Sequence, residues 1–441
     1  MVWSGVNSIL HRSTRQKISE IFLNVNGKLV TNQKDVCTNL NKYFVNVADA
    51  LSKKIPKPNT IFQDYLKNPN EHSIYLKETT QDEVEDIIKD LGDNKACDIY
   101  GISNKFIKHG GCYIAQILMF LFNKSIDSGT FPDPMKNAKV VPIHKGDSSF
   151  EMSNYRPISL LPSFSKVFEK LMYSRLIQFI DKHDILFKNQ FGFQKNMSTE
   201  HAVNNLTANI TQCFENKEQD FCILLDFAKA FDTVNHDILT NKLEFYGIRG
   251  LALKWIKSYL HDRMQCTEID NYQSPLEFIK CGVPQGSVLG PLLFLLYIND
   301  IPNSSKLFKF TLFADDTSLF YSHKNNTNVQ ETLNCELSKI NEWLSANKLS
   351  INVKKSKLLI FSDKVHPDNI ILTMNNETLT EVENVKYLCV HIDNKLKWTK
   401  HINSINLKLS KGLSSLGKIR HFVPKYYEIY VFYIHKSSYR I

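Results

Sequence analysis

Two adjacent carboxylates sit inside an apolar stretch at Phe313-Ala314-Asp315-Asp316-Thr317. Phe310, Leu312 and Phe313 run up to the pair, and Leu319 and Phe320 follow it. A chain that buries those flanks in a sheet must deliver the two aspartates to a turn or to a cation, because an unpaired carboxylate is costly in an apolar interior. The pattern predicts strand, acidic turn, strand. Taken alone, the pair is better read as a solvated hairpin tip. What the rest of the chain brings to that turn decides between the two.

A further carboxylate closes an apolar run upstream. Phe221-Cys222-Ile223-Leu224-Leu225 lacks polar alternation, the pattern of a strand covered on both faces, and it ends in Asp226. If the two strands are neighbours, three carboxylates converge on one sheet edge. Like charges that close repel unless a multivalent cation lies between them. An all-oxygen set selects Mg²⁺, or Mn²⁺, over zinc. Two such ions about 3.5–4 Å apart clamp the attacking and leaving oxygens of a phosphoryl displacement.

Composition adds bounds. The 441 residues, 43% hydrophobic and 22% charged, are two to four domains' worth of ordinary globular chain. A net charge of +9, from 54 Lys and Arg against 45 Asp and Glu, suits a polyanionic partner. Nine cysteines without Cys-x-x-Cys spacing indicate neither a zinc site nor a disulfide framework, and point to a reducing, intracellular compartment. Met1-Val2-Trp3 opens a polar stretch rather than a signal peptide. The longest apolar runs, Tyr113–Phe122 and Leu292–Ile298, are too short to span a bilayer, so no membrane partner is expected.

Along the chain, helical spacing is expected at Val36–Leu51, at Asp82–Leu91 behind a Thr80 cap, and at Tyr113–Ser125 before Gly129. Lys139–Lys145 reads as a strand entering the Gly146-Asp147 turn. The helix after Ser159 has a core stripe of Phe164, Val167, Phe168, Leu171, Met172, Leu176 and Phe179. Lys166, Lys170 and Arg175 fall off that stripe, which leaves a solvated basic face or phosphate contacts. Helices follow at Asp237–Tyr246 and Leu251–Leu260, then weaker strands at Gln265–Ile269 and Leu276–Cys281. Gly282–Ser287 is a tight loop before a helix ending at Tyr297. A helix at Val329–Leu344, a Lys-rich strand at Leu349–Phe361 and a strand at Tyr387–Ile392 come after the Asp-Asp hairpin. From Asn394 to Tyr427 there are eight Lys or Arg and no Asp or Glu. Ile402, Ile405, Leu409, Leu416 and Ile419 give that tail an amphipathic face.

In order, Leu225-Asp226-Phe227-Ala228-Lys229-Ala230-Phe231-Asp232-Thr233-Val234, Gly282-Val283-Pro284-Gln285-Gly286-Ser287-Val288-Leu289-Gly290-Pro291 and Phe313-Ala314-Asp315-Asp316 resemble the successive motifs of reverse transcriptases. More narrowly, they are similar to those of non-LTR (LINE-type, jockey-like) retrotransposons. Asn154–Leu161 and Gln190–Phe193 match the upstream finger motifs, and the resemblance runs from about Lys139 to Asp393. An ordered set of this length is a strong signal where any one motif is weak.

The resemblance implies an α+β right-hand polymerase, with an antiparallel palm sheet backed by helices. Expected divisions are an N-terminal helical and extended linker region at 1–78, a reverse transcriptase domain of fingers and palm at 79–392 (core motifs about 123–392), and a basic, truncated thumb-like helical region at 393–441. It implies RNA-directed DNA synthesis: dNTPs added to a DNA primer 3′-hydroxyl on an RNA template, with Mg²⁺ or Mn²⁺ as cofactor. Asp226 and Asp315 would ligate the metals, with Asp316 beside them and the Phe227 carbonyl completing a site. Phe231 falls at the steric gate that excludes a 2′-hydroxyl; a core aromatic is the alternative. Gln285 and Gly286 fall where the loop touches the nascent base pair. Lys145 and Arg156 are candidate triphosphate or template contacts, or ordinary surface charges. Lys355, one of three lysines in Val353-Lys354-Lys355-Ser356-Lys357, matches the lysine proposed to protonate pyrophosphate.

Three positions depart from the family pattern. Gln194 and Met197 stand where relatives often carry Arg, and Cys389 replaces the usual Gly of the primer-grip strand. With no endonuclease motif ahead of the polymerase and the last residue at Ile441, the expectation is a piece of a longer element-encoded protein, or a truncated copy, working in nucleus or cytoplasm. Other classes consistent with the sequence are a catalytically silent nucleic-acid-binding remnant and an intron-maturase-like RNA scaffold.

Overall fold

A computed structural model describes residues 20–324, 328–362 and 370–419. Side chains at 415–419, and with them Leu416 and Ile419, lie outside the described residues, as do the opening Met1-Val2-Trp3 and the tail beyond 419.

The strands in chain order are β1 (Leu23–Val25), β2 (Lys28–Val30), β3 (Asn137–His144), β4 (Tyr155–Leu160), β5 (Gln219–Leu225), β6 (Met264–Ile269), β7 (Tyr272–Gln273) and β8 (Glu277–Phe278). They continue with β9 (Lys309–Phe313), β10 (Asp316–His323), β11 (Lys357–Phe361), β12 (Thr373–Met374), β13 (Glu377–Thr378), β14 (Thr380–Glu381), β15 (Asn384–Tyr387) and β16 (Val390–Asp393). Two five-stranded sheets dominate. One has the order β14-β11-β5-β10-β9; the other runs β4-β3-β6-β7, with β8 also on β6.

The first sheet carries the acidic turn. Apolar β5 lies in its interior, antiparallel to both β10 and β11. One face packs Phe221, Ile223, Leu312, Leu319 and Ile360 on a large core that includes the helices Ser163–Lys182 and Leu289–Ile298. The other face packs Cys222, Phe320, Leu359 and Phe361 under the helix Thr199–Asn216 through Leu206 and Ile210. Each such fully buried aliphatic or aromatic side chain contributes about 1.5–3 kcal/mol, which is why the uninterrupted run in β5 accepts a two-sided position. The expected antiparallel sheet needs one correction: edge strand β14 runs parallel to β11. The chain leaves β11, passes the β12–β13 hairpin, and returns alongside in the same direction.

The N-terminal region contributes more than a helix. After the β1–β2 hairpin, the helix Gln33–Ser52 packs Val36, Leu40 and Phe44 with Val140 and Ile269 of the second sheet. Buried Asn41 donates to the carbonyls of Gln265 at 3.2 Å and Pro275 at 3.0 Å. The helix expected from Tyr113 begins earlier, at Asn104, and breaks at Gly111, whose φ of 47° is outside the helical range.

Four sequence expectations are overturned. Arg175 is not on a solvated face: it is buried, pairs with Glu83 at 2.8 Å and lies over the Phe122 ring at 5.5 Å. The strand expected over Leu349–Phe361 is confined to Lys357–Phe361; Ile351 makes a single bridge to Phe227, and a turn follows. The strand expected at Tyr387–Ile392 is the β15–β16 hairpin, bent at Leu388 (φ 43°) and Cys389 (φ 70°). The basic helix Thr399–Ile419 leaves Ile402 and Leu409 exposed instead of packed. No described helix is long and apolar enough to cross a membrane.

Candidate active site

Pairing of β5 with β10 sets Thr317 opposite Leu225, so Asp226, one residue past the end of β5, comes up beside Asp316. Asp315 sits between Ala314 and Asp316 in the two-residue turn that joins β9 to β10, where Phe313 pairs with Asp316. The turn requires φ of 54° at Ala314, an uncommon conformation for a residue with a side chain. Its support comes from a segment 124 residues earlier in the chain. Buried Gln190 accepts the Ala314 N–H at 2.9 Å and the Gly192 N–H at 2.9 Å on one side-chain oxygen. Phe191 donates its N–H to the Leu312 carbonyl at 2.8 Å. A Cβ on Gly192 would stand 2.4 Å from the Ala314 nitrogen, so only glycine fits against the turn.

The three carboxylates perturb one another. Loss of solvent, then the charges of Asp315 and Asp226, pushes Asp316 up to about 6. Asp315 is raised by desolvation and by Asp226, against the pull of Arg156 and Lys145. Desolvation also raises Asp226, against Lys355 and Lys145. Crowded oxygens with raised proton affinity are what a multivalent cation relieves, and the donor set is hard oxygen throughout.

Lys145, Arg156 and Lys355 act on the carboxylates, and Lys229 lies next to them beside Asp232. Lys145 follows β3 and donates its N–H to the Asn154 carbonyl at 2.8 Å; Arg156 lies on β4, opposite Ile143. Protein crowding first, then Arg156 and Lys355, holds Lys145 below the usual lysine range. Lys229, in a left-handed conformation (φ 52°), sets its ammonium over the Tyr43 ring at 5.7 Å. Lys355 reaches the cluster through backbone pairing: Asn352 donates to the Asp226 carbonyl at 2.7 Å, and Ser356 Oγ accepts the Asp226 N–H at 3.1 Å. Of the three neighbouring lysines, only Lys355 acts on Asp226. Lys357 instead turns back to the Lys354 carbonyl at 2.8 Å.

Phe231 is half-buried, stacked on Phe294 at 4.5 Å and edge-on to exposed Phe193 at 6.2 Å. Its carbonyl accepts the Val283 N–H at 2.8 Å, which ties it to the Gly282–Ser287 loop. In that loop Gln285 donates through Nε2 to Asp232 at 2.7 Å, and its carbonyl accepts the Ser159 N–H at 2.7 Å. Gly286 has φ of 116°, and a Cβ there would meet the Ser159 carbonyl oxygen at 2.7 Å. Phe227 is buried and makes a backbone bridge to Ile351. Gln194 donates to the Gln190 carbonyl, so its side chain is engaged beneath the acidic turn; Met197 is exposed.

Asp226, Asp315, Asp316, Lys145, Arg156 and Lys355 thus converge, while Gln285, Gly286 and Phe231 form an adjoining wall. Sequence reading missed three supports: Gln190 behind the turn, Ser356 on the Asp226 amide, and Asp232, which orients Gln285. All three lie in motifs named above, but nothing local marks any of them as a partner of the acidic turn or of its neighbours.

Comparison with known proteins adds an independent line. The family model for reverse transcriptase (RNA-dependent DNA polymerase) matches residues 143–392. The RNA-directed DNA polymerase from mobile element jockey of Drosophila melanogaster is 30% identical over 351 residues, 78% of this chain and 38% of the relative. The probable RNA-directed DNA polymerase from transposon BS of the same species is 30% identical over 368 residues, 80% of this chain and 40% of the relative. Its X-element counterpart is 30% identical over 338 residues, 74% of this chain and 36% of the relative. The chain spans about two fifths of the length of these relatives.

Proposed function

Because the chain belongs to the reverse transcriptase family, we propose that it is the polymerase portion of a non-LTR retrotransposon protein, extending a DNA primer with dNTPs on an RNA template. The observation that carries this reading is the meeting of Asp226 with Asp315 and Asp316 at one sheet edge, faced by Lys145 and Arg156 from the other sheet. In right-hand terms, the β14-β11-β5-β10-β9 sheet is the palm and the β4-β3-β6-β7 sheet the fingers. The β15–β16 hairpin and the basic helix after it begin a thumb. The proposed divisions are 1–78, 79–392 and 393–441.

Asp226, Asp315 and the Phe227 carbonyl would hold Mg²⁺ or Mn²⁺, with Asp316 alongside. Bound there, the cations would lower the pKa of the primer hydroxyl and stabilise the departing pyrophosphate. The chain's own groups supply the rest. Lys145 and Arg156 would neutralise the triphosphate as charge builds on it. Lys355, fixed by the Asn352 turn beside Asp226, would deliver a proton to the pyrophosphate. Gln285, oriented by Asp232, and the bare backbone of Gly286 would meet the nascent base pair. Phe231, braced on Phe294, would lie under the sugar and reject a 2′-hydroxyl. Nucleic-acid templates place such work in the nucleus or cytoplasm.

Primer extension on an RNA template with Mg²⁺, dNTPs or rNTPs tests the reading. Wild type should incorporate dNTPs in preference, and Phe231→Val should narrow that preference by about tenfold or more. Incorporation of neither nucleotide, with bound primer–template, would leave the silent-remnant alternative standing in its place.

A further inference from the structure

A second constellation lies at the opposite end of the strand that leads to Asp226. The helix Thr199–Asn216 ends in a left-handed Lys217 (φ 57°). Lys217 donates its N–H to the Phe214 carbonyl at 3.1 Å and Glu218 to the Cys213 carbonyl at 3.0 Å. This tight reversal returns the chain directly into β5 and brings Cys213 on the helix against Glu218 and Asp220 on the strand side. One ligand atom from each of the three lies within 4.8 Å of the others. Cys213 is 2% exposed and Asp220 is 0% exposed; the Cys213 thiol lies against the Asp220 carboxylate, which loss of solvent raises to about 7, and no other described residue gives either Asp220 oxygen a hydrogen bond. A fully enclosed carboxylate in that condition is costly unless it is protonated or meets a cation.

We propose that Cys213 Sγ and the carboxylates of Glu218 and Asp220 bind one divalent transition-metal ion of the zinc class. A thiolate in the set selects a borderline ion over Mg²⁺, and three protein ligands leave the fourth tetrahedral position to water on the half-buried Glu218 side. Binding expels the thiol proton to solvent. The ion would pin the helix end to the start of β5. Asp226 lies six residues further on, about 20 Å away at strand rise, so this ion and any at the acidic turn are separate. The Cys-x-x-Cys criterion cannot find such a set, because only one ligand is sulfur; the expectation of no zinc site rested on that criterion. The proposal does not depend on polymerase activity.

The metal-stripped 441-residue chain titrated with Co²⁺ tests it. The wild type should develop a sulfur-to-cobalt charge-transfer band saturating at one ion per chain, and Zn²⁺ should displace it. Cys213→Ser and Asp220→Asn should each lose that band, while Asp315→Asn retains it. Asp220→Asn keeps the side chain's shape, and circular dichroism with the melting temperature checks that both variants fold. If the wild type shows no such band at saturating Co²⁺, or the band persists in folded Cys213→Ser, the proposal fails.

Discussion

The side-chain oxygen of Gln190 accepts the backbone N–H of Ala314, the residue immediately before Asp315, at 2.9 Å. It accepts the Gly192 N–H as well, so one amide group fixes both the acidic turn and the segment behind it. Gln190→Ala would strand two backbone donors, one of them in a turn that already holds φ of 54°. The expected cost is about 2–3 kcal/mol in denaturant unfolding, with primer extension lost disproportionately because Asp315 shifts. Extension at the wild-type rate in a folded Gln190→Ala protein would show that the turn holds itself.

Asp316 gives a pH signature. Its proton affinity is raised in the fold, to about 6 against an ordinary 3.8. Between those values the folded state binds more protons than the unfolded, so stability of the metal-free protein falls as pH rises through 6. Thermal melts from pH 4 to 7 should show this decline, and Asp316→Asn should flatten it by a few degrees. Mg²⁺ competes with the same proton, so its apparent affinity should fall by up to about tenfold per pH unit below 6. An unchanged melting profile in Asp316→Asn would rule out the crowding of these carboxylates.

Cys389 occupies a conformation that suits glycine. Its φ of 70°, next to Leu388 at 43°, makes the β15–β16 turn left-handed at both central positions. Side chains cost about 1–2 kcal/mol there, against roughly 0.5–1 kcal/mol of added chain entropy for glycine. Cys389→Gly should therefore stabilise the protein by about 0.5–1 kcal/mol, measured by urea unfolding. Destabilisation instead would mean that the thiol makes a contact worth more than the strain.

How far the sequence spoke for the fold follows from where each signal sits. The apolar run into Asp226 and the Asp315-Asp316 turn were legible because strand burial imposes a local pattern. The position of Lys355 was not, since it depends on Asn352 and Ser356 bonding to Asp226 across some 130 residues. Gln190 was hidden for the same reason. Arg175 misled because spacing along its helix marks it as solvent-facing, whereas Glu83 from a neighbouring helix neutralises it in the interior. At Tyr387–Ile392 the alternation of a strand masked a hairpin, because Leu388 and Cys389 carry no Gly or Asn to signal a turn.

The most direct test of the central claim is single-turnover extension of a DNA primer on an RNA template, comparing wild type with Asp315→Asn. With Mg²⁺ and dNTPs the wild type should extend, chelation should abolish the activity, and the variant should be slower by about a thousandfold while binding primer–template as tightly. Extension by Asp315→Asn at the wild-type rate, or wild-type extension without a divalent cation, would contradict the account.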